Sequence, residues 1–240
     1  MNTWFEAGHV AIVTGGSRGL GKALARELVA RGLHVIVDGR DPEVLASTCD
    51  ELRSNGTVIG IAGDVNDNDH AHALIDAARK LGRLDLLVNN ASTLGAVPLP
   101  RIEELTRKAF DALFDVNVFA PIHLIQHALP LMHRTGFGTI VNITSDAGVE
   151  AYPGWGGYGA TKAALEHVSR VLAAELEGSN IRVLLADPGD MNTQMHRDAI
   201  PDADPRELRD PAGVARGLLH AIAGMQGQFA RLRIAEEVPA

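Results

Sequence analysis

The sequence predicts an α/β fold: a doubly wound parallel sheet, covered by helices on both faces, in a single domain. Short apolar runs of strand length alternate with amphipathic helical runs of about 11–15 residues. Strands that alternate with helices in this way argue for a parallel sheet covered on both faces. No long linker, low-complexity tract or internal repeat interrupts the 240 residues, a length that one α/β domain accommodates.

His9 to Thr14 reads as the first buried strand and leads straight into Gly15-Gly16-Ser17-Arg18-Gly19-Leu20-Gly21. The helix after it, to about Arg31, carries Leu20, Leu24, Leu28 and Val29 on one stripe. Leu33–Asp38 is the second strand, and Pro42 to about Asn55 the second helix, with proline in its first turn. Thr57–Ile61, Asp67–Leu81 and Leu84–Val88 continue as strand, helix and strand. Thr106 to about Met132 reads as one helix with Pro121 inside it. Phe137–Ser145 is the fifth strand. Tyr158 opens a helix whose apolar period runs through Leu165, Val168, Leu172 and Leu176. Ile181–Ala186 is the sixth strand, Pro211 to about Ala223 the last helix and Phe229–Ile234 the last strand. Between Asp190 and Asp210 the pattern dissolves, and a loop of that length inside a compact domain suggests a lid.

Composition narrows the function. The net charge of −8, without a block of Lys and Arg, argues against nucleic acid as a partner. Cys49 is the only cysteine, so no internal disulfide can form and a reducing compartment is expected. No apolar run reaches the ~18–20 residues of a membrane span, and no leader pattern opens the chain. The expectation is a soluble cytoplasmic protein.

Three features carry chemistry. The glycine run fits two patterns. As Thr-Gly-x-x-x-Gly-x-Gly between strand and helix it is a dinucleotide turn, whose glycines let the backbone approach a pyrophosphate at a helix N-terminus. As Gly16-x4-Gly21-Lys22 it approaches a nucleoside-triphosphate loop, but Ala23 stands where the magnesium-binding hydroxyl belongs. Second, Tyr158 and Lys162 are four residues apart, one helical turn, on one face. An ammonium beside a phenol lowers its pKa and makes it a usable proton donor and acceptor near neutrality. Taken alone, the pair also suits a half-buried tyrosine beside a solvated lysine. Third, Pro121 has no N–H to give to the Asn117 carbonyl four residues back, which predicts a kink that frees that oxygen.

With the glycine turn, Asn89-Asn90-Ala91, Ser145, Tyr158, Lys162 and Pro188-Gly189 in this order, the chain resembles the short-chain dehydrogenase/reductases. The likeness covers roughly residues 9–195 and is to their compact, single-domain branch. It implies a Rossmann-type fold, a hydride exchanged between a nicotinamide cofactor and a carbonyl or secondary alcohol, and a homodimer or homotetramer. It also implies roles. Tyr158 would be the acid/base, Lys162 would lower its pKa and bond the nicotinamide ribose, and Ser145 would steady the carbonyl. The Asn117 carbonyl would hold a relay water. Gly15, Ser17, Arg18, Gly19, Leu20 and Gly21 would form the pyrophosphate turn. Asp64 and Val65 would flank the adenine, and Asn90 and Ala91 would lie along the cofactor. Pro188, Gly189, Met191 and Thr193 would seat the nicotinamide end. A non-redox or cofactor-sensing member of the family is the alternative. The chain departs from the family at Ser92, where glycine is frequent, at Asp187, where asparagine is frequent, at Met191, which replaces a branched aliphatic residue, and at Asp146 beside the serine.

The family spacing also points to NADP(H). An acidic residue about twenty positions past the glycines would accept the ribose hydroxyls and repel a 2′-phosphate. Here the deciding position is Gly39, eighteen residues after Gly21, with Arg40 next. Asp38 falls one residue early, and strand alternation should turn it away. Arg18 is placed to reach a 2′-phosphate together with Arg40.

Overall fold

Strands that are apolar throughout need cover on both faces, and the computed structural model, which describes residues 5–235, shows how they get it. The reading of the chain's start as leaderless rests partly on residues 1–4, which lie outside the described residues. The strands are β1 (Val10–Val13), β2 (His34–Gly39), β3 (Val58–Ala62), β4 (Leu86–Asn89), β5 (Gly138–Ile143), β6 (Ile181–Asp187) and β7 (Phe229–Arg233). They form one sheet in the order β3-β2-β1-β4-β5-β6-β7, parallel at every pairing. The helices are α1 (Gly19–Ala30), α2 (Pro42–Arg53), α3 (Asn68–Lys80), α4 (Arg107–Phe114), α5 (Ala120–Thr135), α6 (Gly156–Glu175), α7 (Gln194–Ala199) and α8 (Pro211–Gly224). Among the described residues no helix is long and apolar enough to cross a membrane.

Alternation divides the core in two. Ala11, Val13, Val35 and Val37 face α1, α2 and α8, whose Leu24, Leu28, Leu45 and Leu218 complete that side. Val10, Ile12 and Ile36 face α3, α5 and α6, with Leu74, Ile75, Leu124 and Met132. Each fully buried aliphatic side chain of this kind contributes about 1.5–3 kcal/mol. Aspartates cap three of the helices: Asp41 accepts from the Glu43 and Val44 amides, Asp67 from Asp69, and Asp210 from Ala212 and Gly213. Pro42 and Pro211 occupy the first turns of their helices, where no amide is needed.

Two segments differ from the sequence reading. The run from Thr106 is not one kinked helix. It is α4, a π-helical turn at Asp115–Phe119, and α5, which starts one residue before Pro121. The missing proline amide falls where the backbone widens by one residue, with the Ala120 amide bonded to the Asp115 carbonyl. The 190–210 segment is not patternless either. Thr193 accepts from the His196 amide and starts α7, and Met191 bridges Arg209 at the base. A side-chain cap and a backbone bridge leave no apolar period to read.

The fold sets the site. Chain order reverses between β1 and β4, and in open α/β sheets ligands bind outside the carboxyl ends of the strands at that point. Gly15, Arg40, Asp64, Asn90, Ser145 and Pro188 all lie within two residues of strand ends there.

Candidate active site

The glycine turn is built for close approach. A Cβ on Gly21 would lie 2.3 Å from the Gly15 carbonyl oxygen, so α1 can begin this near β1 only with glycine. Asn90 locks the turn to β4: its side-chain amide donates to the Thr14 and Gly15 carbonyls, at 2.8 and 3.3 Å. The Thr14 hydroxyl accepts from the Asn90 and Ala91 amides at 3.0 Å each. Unlike α2, α3 and α8, α1 has no capping side chain, and its first turn holds no acidic residue, unlike those of α2 and α3. Its leading amides and its positive dipole end are open to an anion, which fits the diphosphate of a dinucleotide. The triphosphate alternative gains nothing here, since Lys22 is paired with Glu51 at 2.7 Å on the surface.

The end of β2 lies against this turn. Asp38 is buried, and its carboxylate accepts from the Gly15 amide at 2.5 Å and meets His70 Nε2 at 3.1 Å. Alternation has turned it under the turn. Position 39 points the other way, since a Cβ there would meet the Ser17 hydroxyl at 2.8 Å. Arg40 is exposed. Arg18 is exposed too, with its guanidinium 3.5 Å from Asp41, so the two arginines flank the same strand end. A groove of about 440 Å³ opens beside them, lined by Ser17, Arg18, Lys22, Ser47 and Thr48 among others. Asp64 closes its own turn by accepting from the Asn66 amide at 3.0 Å. Val65 shares a small cavity with Thr14 and Ala91.

Helix α6 carries the reacting pair and is anchored beyond it. One turn past Lys162, buried Glu166 accepts from Thr144, Arg170 and Arg231, each at 2.9 Å. Ser169 accepts from Asn142 at 2.8 Å, and Asn142 in turn accepts from Asn89 at 2.7 Å, tying α6 to β5 and β4. Lys162 is thereby held beneath the sheet end, donating to the Ile143 carbonyl at 2.9 Å with its ammonium 5.3 Å from the Tyr158 ring centre. Both side chains are buried. Ser145 starts a 3-10 turn, Asp146–Gly148, that rests on α6 next to Tyr158. A Cβ on Gly159 would fall 2.4 Å from the Ala147 carbonyl oxygen, so glycine at 159 lets the serine turn sit this close. The Ser145 hydroxyl donates to Asp146 at 3.1 Å and accepts from the Ala147 amide at 3.2 Å.

One expectation is corrected. Lys162 was to hold the Tyr158 pKa down, but burial pushes the phenol above its ordinary value, with Asp187 and Asp146 acting the same way. The Ser92 hydroxyl, hydrogen-bonded to Tyr158, opposes them. Ser92 entered the sequence reading only as a departure from a frequent glycine. It also donates to Asn117 Oδ1 at 2.9 Å. Asn117 is a side-chain hub: it also accepts from the Thr93 amide at 2.9 Å and donates to the Thr93 carbonyl at 2.9 Å and to Thr161 at 3.0 Å. A hydroxyl at 92 could have been suggested as a partner only by knowing that its loop crosses α6.

Burial lowers the Lys162 pKa to about 8, from an ordinary value of 10.5. The depressed value disfavours the ammonium in the folded state, at a cost of about 3 kcal/mol that is fully present below pH 8. Between pH 8 and 10.5 the unfolded chain binds more protons, so this contribution makes stability rise with pH. Lys162→Met is therefore expected to melt higher than the unmodified protein at pH 7 and to lack that rise. Thermal melts of both across this range test it, and a lower melting temperature for Lys162→Met at pH 7 would refute the burial cost.

Beyond β6, the Gly189 amide donates to Asp187 at 2.9 Å, and Arg209 donates to the Pro188 carbonyl at 3.4 Å and to that of Ile234 at 2.6 Å. The Thr193 side chain lies against Gly19, since a Cβ there would meet its methyl at 3.3 Å. Ala199 of α7 packs with Tyr158, Leu94 and Trp155. The segment after β6 thus spans from the glycine turn to the tyrosine. Met191 packs instead on the core beneath α1 and α8, and Val149 is exposed, so of the apolar residues near the site Trp155 meets the tyrosine ring most directly, at 5.7 Å between centroids.

Comparison with known proteins agrees with this geometry. Residues 9–204 match the family model for short chain dehydrogenases. The rhamnolipids-biosynthesis 3-oxoacyl-acyl-carrier-protein reductase of Pseudomonas aeruginosa is 35% identical over 224 residues, covering 90% of this chain and 86% of that protein. Among solved structures, a metagenomic short-chain oxidoreductase in complex with NADP is 29% identical, with a TM-score of 0.80 over 96% of this chain and 99% of that one. A 7α-hydroxysteroid dehydrogenase complexed with NADH and 7-oxo glycochenodeoxycholic acid is 28% identical, with a TM-score of 0.85 over 96% of this chain and 95% of that one. On the family match over most of its length and the likeness in sequence and fold, this chain belongs to the short-chain dehydrogenase/reductase family of oxidoreductases.

Proposed function

We propose that this chain transfers a hydride between NADP(H) and a carbonyl or secondary alcohol carbon, with Tyr158 as the acid/base. The observation that carries this reading is the buried Lys162 ammonium held 5.3 Å from the Tyr158 ring at the mouth of the dinucleotide crevice. The cofactor, when bound, supplies or accepts the hydride. Everything else falls to the protein. Tyr158 gives a proton to the carbonyl oxygen in reduction and takes it back in oxidation. Burial and the two aspartates favour the neutral phenol, which suits donation to a developing alkoxide. Ser145 orients the carbonyl, and Lys162 holds the nicotinamide ribose. The Asn117 carbonyl holds a water that replenishes the proton through Lys162. The α1 amides from Gly19 to Gly21 hold the diphosphate, and Asp64 and Val65 flank the adenine. Pro188, Gly189 and Thr193 close over the nicotinamide, with Met191 packed on the core behind them, and Arg18 and Arg40 read the 2′-phosphate. A pure cofactor sensor has no use for a buried tyrosine and lysine in this arrangement.

The chain is proposed to work as a homodimer or homotetramer, with Phe119 and Val171, large apolar residues exposed near the starts and outer faces of α5 and α6, covered by a second copy. A single buried cysteine suits a cytoplasmic setting. A panel of ketones and alcohols, followed by nicotinamide absorbance, tests the activity. Turnover of at least one pair with NADPH or NADP is expected, and binding of the cofactor without turnover of any carbonyl would favour the sensor.

We also read residues 190–210 as a lid. Its base is pinned by the Met191–Arg209 bridge, and none of its residues is fully buried. Limited proteolysis is expected to cut between Met195 and Glu207 in the free protein and to be suppressed by cofactor with substrate. Resistance of this segment from the outset, with cleavage elsewhere, would contradict a mobile lid.

A further inference from the structure

Away from the crevice, three histidines from two helices meet. His123 and His127 are one turn apart on α5, and His72 faces them from α3. Ring centroids lie 4.3 Å apart for His72 and His127, 4.5 Å for His123 and His127, and 5.9 Å for His72 and His123. Each ring offers one nitrogen such that all three nitrogens lie within 4.8 Å of one another. Nitrogens bound tetrahedrally to one zinc stand about 3.3 Å apart, given zinc–nitrogen bonds of about 2.0–2.1 Å. Small ring rotations close that gap. Nε2 of His123 is buried and has no hydrogen-bond partner among the described residues. A buried polar atom without a partner costs free energy, and a ligand in the cluster would offset that cost.

We propose that His72, His123 and His127 form a binding site for one divalent transition-metal ion, with zinc the best match, that ties α3 to α5. Three imidazoles without a thiolate or carboxylate suit zinc, cobalt, nickel or copper and not magnesium or calcium, which take oxygen ligands. The apolar contact beneath the cluster, through Ala71, Leu74, Leu124 and Ala128, fixes the two helices, so the triad does not have to be assembled from an unfolded chain. His72 is exposed, which leaves the fourth position open to solvent and gives the ion a way in. The site depends on neither the cofactor nor the catalytic tyrosine.

The experiment uses full-length protein purified without a histidine tag and stripped with chelator. Zinc alone is titrated by calorimetry, cobalt serves as a visible-spectrum probe, and magnesium is the control. One zinc per chain, a tetrahedral cobalt spectrum, a raised melting temperature and no response to magnesium are expected. His72→Ala changes only an exposed residue, and His127→Ala removes a ring shared with both neighbours. Each should weaken zinc binding at least ten-fold, while His167→Ala, on the exposed side of α6, leaves it unchanged. Absence of zinc binding to the unmodified protein, or equal affinity in the His72→Ala variant, overturns the site.

Discussion

Tyr158→Phe is expected to lower kcat by about 10²–10⁴-fold, the contribution of a positioned general acid/base, while the fold and cofactor binding persist. The ring stays packed against Leu94, Ala147 and Trp155, so only the hydroxyl is lost. Its partner Ser92 keeps a second hydrogen bond, to Asn117, and is not left stranded. Melting temperature and the dissociation constant for NADPH should therefore change little, and the loss should fall on the chemical step. Lys162→Met should differ in kind, losing activity and cofactor affinity together even as it gains stability near neutrality. Steady-state kinetics beside direct cofactor titration separate the two. More than about a tenth of the activity surviving in Tyr158→Phe would mean that another group donates the proton.

Arg40→Ala is expected to raise KM for NADPH far more than for NADH. Hydrogen bonds to a charged partner contribute about 1.5–3 kcal/mol each, so Arg18 and Arg40 together could favour NADP(H) by ~10²-fold or more. The alternative is that Asp38 binds the ribose hydroxyls. Its carboxylate is buried under the glycine turn, on the Gly15 amide and His70, and would have to abandon both. Glycine at 39 leaves the deciding position without an acidic group, and Asp41 is committed to capping α2. Arg18 must leave a long contact with Asp41, one that on an exposed surface contributes little. On this proposal, Asp38, Gly39 and Arg40 at the end of β2, with Arg18 beside them, set the cofactor specificity. Equal or better kcat/KM with NADH in the unmodified protein would overturn this account and return Asp38 to the role.

The parts of the fold that repeat were legible in the sequence. Strands buried on both faces show as apolar runs, and aspartate–proline pairs mark the starts of α2 and α8. Tyr158 and Lys162 could be paired because one helical turn separates them. The downward turn of Asp38 followed from strand alternation alone. What escaped depends on residues distant in the chain. Nothing local in Ser92 says that it meets Tyr158, and nothing in His72 says that it faces His123 and His127. The π-helical turn escaped for another reason. Pro121 signals a missing amide, but the proline alone does not say whether the backbone bends or widens there. The sign of the Tyr158 shift likewise needed burial and the two aspartates weighed against the lysine, which spacing cannot do.

The central claim is hydride transfer at Tyr158, and isotope tracing tests it most directly. The protein is incubated with NADPH deuterated on the transferable position of nicotinamide C4 and with a ketone from the active panel. Deuterium should appear on the carbinol carbon of a single product enantiomer, at a rate that falls at least a hundred-fold in Tyr158→Phe. Cofactor binding without label in any product, or label transfer at an undiminished rate in Tyr158→Phe, would contradict the account.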